Sequence, residues 1–135
     1  MSIIVWKTEY SVGVAELDND HRKLISMINQ LHLAMHNDRG QTVIKTIISD
    51  MLNYIKLHFS KEEAYMRQAG YLGLLAHLRE HEGFVRKAQE LKQRSESGEF
   101  VLSLEVVQYL SDWLKGHILE ADMRYVETFK QKGFR

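Results

Sequence analysis

The chain has 135 residues and a mass of 15.8 kDa, which is enough sequence for one domain with a buried core. Its 18 basic and 18 acidic residues cancel, which argues against binding to nucleic acid or to a membrane surface. The absence of cysteine excludes disulfides, iron–sulfur clusters, thiolate zinc sites and cysteine nucleophiles, and the absence of proline favours long helices.

Residues 1–16 form a predicted N-terminal arm. Trp6, Tyr10 and Val14 are its candidates for packing, in an extended conformation, on the rest of the domain. The arm has no basic stretch followed by an apolar run, so it does not resemble a secretory signal. No segment approaches the roughly 20 apolar residues of a membrane span. We therefore expect a cytoplasmic protein.

Four segments with helical periodicity follow the arm and are separated by short turn sequences. The turns are Asn37-Asp38-Arg39-Gly40, Gly70-Tyr71-Leu72-Gly73 and Ser95-Glu96-Ser97-Gly98. Asp18 or Asn19 is suited to cap the first helix, and Ser103 the fourth. Apolar residues recur at helical spacing in each segment: Leu17, Leu24, Ile28, Leu31, Met35; Ile44, Ile48, Met51, Ile55, Phe59; Leu74, Leu78, Phe84, Val85, Ala88, Leu91; and Leu104, Val107, Leu110, Leu114, Ile118, Ala121, Tyr125.

Short loops between helices place neighbouring helices antiparallel. The pattern therefore predicts an all-α fold, an up-down-up-down antiparallel four-helix bundle in one domain over residues 1–135. We expect the tail after Phe129 to fray.

The apolar stripes also pass through polar residues that should then be buried. These residues are His21, His58, Glu62, His77, His81 and His117. Residues four apart on a helix differ by about 40° in direction. His58 and Glu62 on the second helix therefore face one point, and so do His77 and His81 on the third. Each of the four helices thus directs at least one imidazole inward, and one helix adds a carboxylate.

A metal site explains these inward polar residues better than ordinary core packing does. A single inward histidine is more often a hydrogen-bonded core residue, and one His-x-x-x-His pair is a weak signal. Burying several unpaired polar groups, however, costs about 1–3 kcal/mol each, which together rivals the stability of a small domain. A shared metal removes this cost. In an antiparallel bundle all six residues also lie towards the same end.

Two other patterns are weaker. His32 lies eleven residues beyond His21, a rise of about 16 Å, so we expect His32 and His36 to be surface or bundle-end residues. The segment His77-Leu78-Arg79-Glu80-His81 matches the H-x-x-E-H string of some zinc peptidases. That interpretation leaves the remaining inward histidines and Glu62 unexplained.

The whole chain resembles a bacterial hemerythrin. The matching residues are Trp6 and Tyr10, Leu17-Asp18-Asn19-Asp20-His21, His58-Phe59-Ser60-Lys61-Glu62-Glu63, His77-x3-His81-x2-Phe84 and Trp113-Leu114-Lys115-Gly116-His117-Ile118-x3-Asp122. The resemblance implies a four-helix bundle with a non-haem di-iron centre that binds dioxygen.

The resemblance also implies a ligand set. One iron takes His77, His81 and His117, and the other takes His21 and His58 and keeps an open position for dioxygen. Glu62 and Asp122 bridge the two irons, together with an oxo or hydroxo group. His117 and Asp122 are five residues apart, about 140° on a regular helix, so we expect a π-type bulge or a kink between Ile118 and Ala121.

An apolar pocket beside the open position would limit access of water to it. Its candidate lining consists of residues near the ligands in sequence: Leu24, Ile25, Phe59, Trp113, Leu114 and Ile118.

These inferences predict an oxygen carrier or local oxygen store and not an enzyme. We expect a monomer that has no nucleic-acid partner and no membrane segment, and an oxygen-consuming protein is a candidate recipient. Two alternatives stay open: an oxygen- or redox-sensing module, and a di-iron oxidase or a protein that handles iron or nitric oxide.

Overall fold

The computed structural model describes residues 4–37, 41–96 and 104–135. The predicted Ser103 cap, most of the first predicted turn and part of the third lie outside these residues. The same holds for the side chains of Ile44, Leu91 and Leu104 from the predicted apolar stripes.

Four long helices account for most of the structure. They are α1 (Ala15–His36), α2 (Gln41–Ala69), α3 (Leu74–Glu96) and α4 (Leu104–Gly116). The chain then continues through a π-helical turn (His117–Ala121), a 3₁₀ turn (Asp122–Tyr125) and the short helix α5 (Val126–Gln131). The described residues contain no β-strand.

The helices form the predicted four-helix bundle. Helix α1 packs against α2 and α4, and α2 also packs against α3. A hydrogen bond between Asp20 and His58 joins the start of α1 to the second half of α2. Another, between Glu63 and His81, joins that half of α2 to the start of α3. Both pairs of neighbours are therefore antiparallel, as short connections require.

The core follows the apolar stripes. Side chains such as Leu24 and Leu31 of α1, Ile55 of α2 and Leu110 of α4 are almost fully buried in one cluster. Burial of each such side chain contributes about 1.5–3 kcal/mol of stability. Within the described parts of the chain, no helix has the length and apolar character of a membrane span.

The N-terminal arm packs on the bundle as predicted. Ile4 and Tyr10 are buried against the main core, and the arm forms one 3₁₀ turn at Thr8–Tyr10. The main chain of Ile4 is held by Asn29, which accepts from its N–H at 3.2 Å and donates to its carbonyl at 2.8 Å. Helix α1 begins directly after Val14, so the arm is slightly shorter than predicted.

The predicted cap of α1 is wrong. The helix begins at Ala15, with Val14 in the cap position and no side-chain cap. Asp18 lies inside the first turn, where it accepts a hydrogen bond of 2.8 Å from the main-chain N–H of Val12 and another from the Ser11 hydroxyl. The carboxylate is thus used to hold the arm, which allows the helix to start one turn earlier.

The prediction that the tail frays is also wrong. Phe134 is half-buried, and its ring packs 5.4 Å from the rings of both Tyr65 and Phe129. Gly133 has a φ of +76°, a left-handed conformation that glycine adopts without strain. This turn lets the Phe134 N–H donate to the Phe129 carbonyl at 3.0 Å and directs the ring back onto the bundle.

Candidate metal centre

Seven buried polar side chains meet near one end of the bundle. All are at most 5% exposed: His21, His58, Glu62, His77, His81, His117 and Asp122. Helix α1 supplies the first, α2 the next two, α3 the pair at 77 and 81, and the end of α4 the last two. The structure therefore brings together every residue that the sequence singled out as a candidate ligand.

The turn after α4 explains how His117 and Asp122 face the same point. The backbone is π-helical from His117 to Ala121, and the N–H of Asp122 bonds to the carbonyl of His117. The wider turn brings residues five apart onto one face, which a regular α-helix does not do. The predicted π-type bulge is confirmed.

Three histidines and one carboxylate make the first half of the cluster. The candidate ligand atoms of Glu62, His77, His81 and His117 all lie within 4.8 Å of one another. Glu62 Oε1 is 2.7 Å from His77 Nε2 and 3.0 Å from His81 Nε2. The Nε2 atoms of His81 and His117 face each other at 3.1 Å.

Two histidines make the second half. The candidate ligand atoms of His21, His58 and Glu62 form a second group within the same 4.8 Å limit. Glu62 Oε2 lies 3.4 Å from His58 Nε2 and 3.8 Å from His21 Nε2. This half therefore has one imidazole fewer than the other.

Both carboxylates divide their oxygens between the two halves. Glu62 directs Oε1 towards His77 and His81, and Oε2 towards His58. Asp122 places Oδ1 3.1 Å from His77 Nε2 and 3.0 Å from His117 Nε2, with Oδ2 3.2 Å from His21 Nε2. Each carboxylate is thus placed to contact two positions at once.

Several buried atoms of this cluster form no hydrogen bond with the protein, although they lie within about 3.2 to 3.4 Å of other polar atoms of the cluster. His21 Nε2, His58 Nε2 and both oxygens of Asp122 make no hydrogen bond within the described residues. Orphaned polar atoms of this kind are costly, and a metal ion satisfies them by accepting their lone pairs. The donor set is imidazole and carboxylate, which suits divalent transition metals such as iron. The residues therefore fit a metal centre.

The shifted pKa values in the cluster also favour a metal ion. Burial lowers the pKa of His21, His77 and His117, but Asp122 and Glu62 outweigh it and raise these values to about 9, 9 and 10. Burial raises the pKa of Glu62, yet its histidine neighbours bring it well below its usual value. The two buried carboxylates thus stabilise positive charge beside them, and a metal ion would supply that charge.

Three hydrogen-bond partners around the cluster were not assigned a role from the sequence. His58 Nδ1 donates to Asp20 Oδ2 at 2.9 Å, and His81 Nδ1 donates to Glu63 Oε2 at the same distance. The Tyr125 hydroxyl donates to Glu62. Each bond to a histidine leaves its Nε2 lone pair facing the cluster, as metal-binding histidines require. Asp20 and Glu63 are adjacent to His21 and Glu62 and belong to the sequence blocks that resemble a hemerythrin, which were the sequence signals for them.

Asp20 is the centre of a larger network. Besides His58, it accepts from the Tyr54 hydroxyl at 2.8 Å and from Lys61 Nζ at 3.3 Å. Burial raises the pKa of the Asp20 carboxyl, but these three partners outweigh burial and lower it to about 2. The carboxylate therefore stays charged beside His58.

A narrow apolar cavity of about 10 Å³ lies next to the cluster. Four of the six predicted pocket residues line it: Leu24, Phe59, Trp113 and Leu114. The structure does not place Ile25 and Ile118 on this lining, and Ile25 instead lines a surface groove under the arm. The sequence missed the other five lining residues, which are Ile28, Met51, Ile55, Phe84 and Leu110. All five follow the same apolar stripes, and Ile55 and Phe84 lie three residues from His58 and His81.

The cavity and the cluster share aromatic walls. Phe59 stacks on the His81 ring at 3.6 Å, and Trp113 stacks on His117 at 4.6 Å. Both aromatic residues line the cavity. The apolar space therefore reaches the candidate ligands without an intervening polar side chain.

Neither of the two weaker patterns forms a site of its own. The rings of His32 and His36 stack on each other at 6.5 Å, with His32 half-buried and His36 exposed. Glu80 of the H-x-x-E-H string is exposed, whereas His77 and His81 of that string belong to the cluster with Glu62 and His117. Nothing in this arrangement favours a peptidase site.

The sequence matches the family described as "Hemerythrin HHE cation binding domain" over residues 12–129. The chain belongs to the hemerythrin family. It is 34% identical over 130 residues to a bacteriohemerythrin of Stenotrophomonas maltophilia (strain R551-3), which covers 96% of this chain and 84% of that protein. It is 30% identical over 131 residues to a bacteriohemerythrin of Clostridium acetobutylicum, covering 93% and 100% of the two chains.

The hemerythrin fold is equally evident in three dimensions. A crystal structure of wild-type hemerythrin superposes with a TM-score of 0.89 at 26% sequence identity, covering 94% of this chain and 98% of that one. The family comparison and the buried histidine–carboxylate cluster thus independently point to a metal-binding bundle.

Proposed function

We propose that the cluster holds two iron ions and that the chain binds dioxygen reversibly, as an oxygen carrier or a local oxygen store. The observation that carries this proposal is the unequal number of histidines on the two sides of the shared carboxylates. Three histidines face one side of Glu62 and Asp122, and two histidines face the other. The printed family description supports a cation site, and the relatives' name supports a hemerythrin role.

In this proposal the ligands have distinct roles. His77, His81 and His117 would hold one iron, His21 and His58 would hold the other, and Glu62 and Asp122 would contribute to both positions. A pair of ferrous ions held there would supply the two electrons that dioxygen takes up on reversible binding. The missing third imidazole on the side of His21 and His58 provides the place for this exchange.

The protein itself contributes a ligand set of low negative charge and a hydrophobic cavity. Five neutral imidazoles and two carboxylates donate less negative charge than the Glu-rich sets with Glu-x-x-His elements of di-iron enzymes, and this sequence contains no Glu-x-x-His. All nine residues that line the cavity are hydrophobic. A ligand there meets no side chain able to deliver a proton, which favours binding and release over turnover.

Oxygen cycling tests the proposal. Oxygen added to the reduced, colourless protein should produce a charge-transfer colour, and purging with inert gas should restore the colourless form over repeated cycles. A protein that goes irreversibly to the oxidised state in the first cycle contradicts the proposal and favours an oxidase. A His32→Ala variant is the matched control, since His32 lies outside the cluster, and it should cycle like the native protein.

A further inference from the structure

Two of the candidate ligand histidines are tethered by carboxylates that lie outside the ligand set, one in each half of the cluster. His58 Nδ1 donates to Asp20 at 2.9 Å on the side with two histidines. His81 Nδ1 donates to Glu63 at 2.9 Å on the side with three histidines. Glu63 forms no other hydrogen bond or ion pair within the described residues. The two tethers therefore differ in what else their carboxylates contact.

Asp20 shares its two oxygens among three donors. Oδ2 accepts from His58, and Oδ1 accepts from the Tyr54 hydroxyl at 2.8 Å. The Lys61 ammonium lies 3.3 Å from both oxygens. Asp20 is only 4% exposed, whereas Tyr54 and Lys61 are partly exposed. The network thus runs from the surface of the bundle to the buried ring of His58.

The other partners of a carboxylate decide how strongly it polarises a histidine. A carboxylate that accepts the Nδ1–H of a metal-binding imidazole raises the basicity of its Nε2 lone pair. Each further donor to the same carboxylate draws on its negative charge, and an ammonium does so most strongly because its hydrogen bonds are charge-assisted. Tyr54 and Lys61 therefore reduce the polarisation of His58 by Asp20.

We propose that Tyr54 and Lys61 act through Asp20 to limit electron donation from His58 to its metal position, and that this limit favours the release of dioxygen. The inference rests on the proposed function, because it takes the metal beside His58 to be iron. A more weakly donating imidazole stabilises ferrous relative to ferric iron, so dioxygen returns its electrons more readily. Asp20, Tyr54 and Lys61 contact neither metal nor dioxygen and are positioning residues.

Two substitutions should shift the reduction potential of the iron-loaded protein in opposite directions. Asp20→Asn weakens the acceptor of the His58 Nδ1–H and should raise the potential. Tyr54→Phe leaves the Asp20 carboxylate with more charge to direct at His58 and should lower it. A spectroelectrochemical titration without oxygen measures both shifts. A merely structural role gives no reason for opposite signs, so the pair of variants distinguishes tuning from packing.

Lys61→Met should shift the potential in the same direction as Tyr54→Phe, because it removes the ammonium and keeps an apolar stem. Lys56→Met is the matched control, since Lys56 is an exposed cation of the same helix outside the network. It changes the net charge by the same amount and should leave the potential close to the native value. Equal shifts in the two lysine variants would reveal a general charge effect and overturn the role of Lys61.

The affinity for ferrous iron is a second readout, measured anaerobically by competition with a coloured ferrous chelator. Asp20→Asn should weaken the binding of one of the two irons by about 10–100-fold, the usual effect of losing such a partner. Glu63→Gln should also weaken one iron, and the double variant should weaken both, because the two carboxylates act on different halves. A double variant in which only one iron is weakened overturns this assignment.

Combining substitutions tests whether Tyr54 acts through Asp20. In the Asp20→Asn background, Tyr54→Phe should have little further effect on the potential. If Tyr54→Phe fails to lower the potential of the native protein, or lowers it equally in the Asp20→Asn background, the proposal is overturned. A protein that shows the expected shifts without cycling oxygen overturns the carrier function alone. One that cycles oxygen without these shifts overturns the tuning alone.

Discussion

The Tyr125 hydroxyl donates a 2.9 Å hydrogen bond to Glu62 Oε2, the oxygen that lies 3.4 Å from His58 Nε2. Tyr125 is fully buried and follows Asp122 by three residues in the 3₁₀ turn. One short segment therefore supplies one of the shared carboxylates and the hydrogen bond that orients the other. The rotation of Glu62, and with it the direction of both its oxygens, is fixed from the end of α4.

Tyr125→Phe should reduce stability while keeping the aromatic packing. A hydrogen bond to a charged group contributes about 1.5–3 kcal/mol, so we expect a loss of about that size in the free energy of unfolding. Urea denaturation of the iron-loaded protein measures it. Tyr10→Phe is the control, because Tyr10 is also buried but its hydroxyl makes no hydrogen bond among the described residues. Equal stability of the two variants would contradict the role of Tyr125.

Asp20→Asn should flatten the acid dependence of stability. The pKa of Asp20 is about 2 in the fold and 3.8 for a free aspartate side chain, so its contribution is present above pH 3.8 and is lost as the pH falls through 2. The native protein should therefore keep its stability advantage over the variant down to about pH 4 and lose it as the pH is lowered from 4 towards 2. Unfolding curves across this range measure the difference.

Asp50→Asn serves as the control for that series, since Asp50 is exposed on α2. Its stability should follow that of the native protein at every pH. If the curves of Asp20→Asn and the native protein run parallel down to pH 2, the carboxylate is not held by His58, Tyr54 and Lys61 as described.

Leu114→Ala should shorten the lifetime of the oxygen-bound form. Leu114 lines the cavity beside the cluster, and its truncation makes room for water there. Leu31→Ala is the matched control, because Leu31 is buried in the same core but does not line the cavity. Both variants should lose about 2–5 kcal/mol of stability. Only Leu114→Ala should speed oxidation, measured from the decay of the visible spectrum in air.

Glu62→Ala should lower both iron content and stability. Glu62 contacts both halves of the cluster, so its removal takes ligand atoms from both metal positions and leaves buried imidazoles without a partner. Metal analysis should give about two irons for each native chain and clearly fewer for the variant. His32→Ala should retain the native content. Full iron occupancy in Glu62→Ala would remove the carboxylate from the ligand set.

The sequence predicted the fold and the cluster because both follow from helical periodicity. Residues three and four apart share a face, so an inward stripe that includes His58 and Glu62 places both in the core. Asp122 lies off the regular stripe and was assigned only by the resemblance to hemerythrins. The irregular turn followed from that assignment, since residues five apart on a regular helix face apart.

Periodicity does not determine how far a side chain reaches or which neighbour it meets. Tyr125 was assigned to the apolar stripe, and its hydrogen bond to Glu62 became evident only from the distance between helices. Asp18 was taken for a cap because contacts with Ser11 and Val12 depend on the path of the arm. Ile55 and Phe84 lie one helical turn from candidate ligands and were still missed, because spacing does not show which residues of a stripe enclose a cavity.

The sharing of Glu62 and Asp122 between two metal positions is tested most directly by diffraction at the iron absorption edge from crystals of the iron-loaded protein. The account predicts two anomalous peaks for each chain, one beside His77, His81 and His117 and one beside His21 and His58, with both carboxylates contacting both peaks. A single peak, or two peaks that share neither carboxylate, would contradict it.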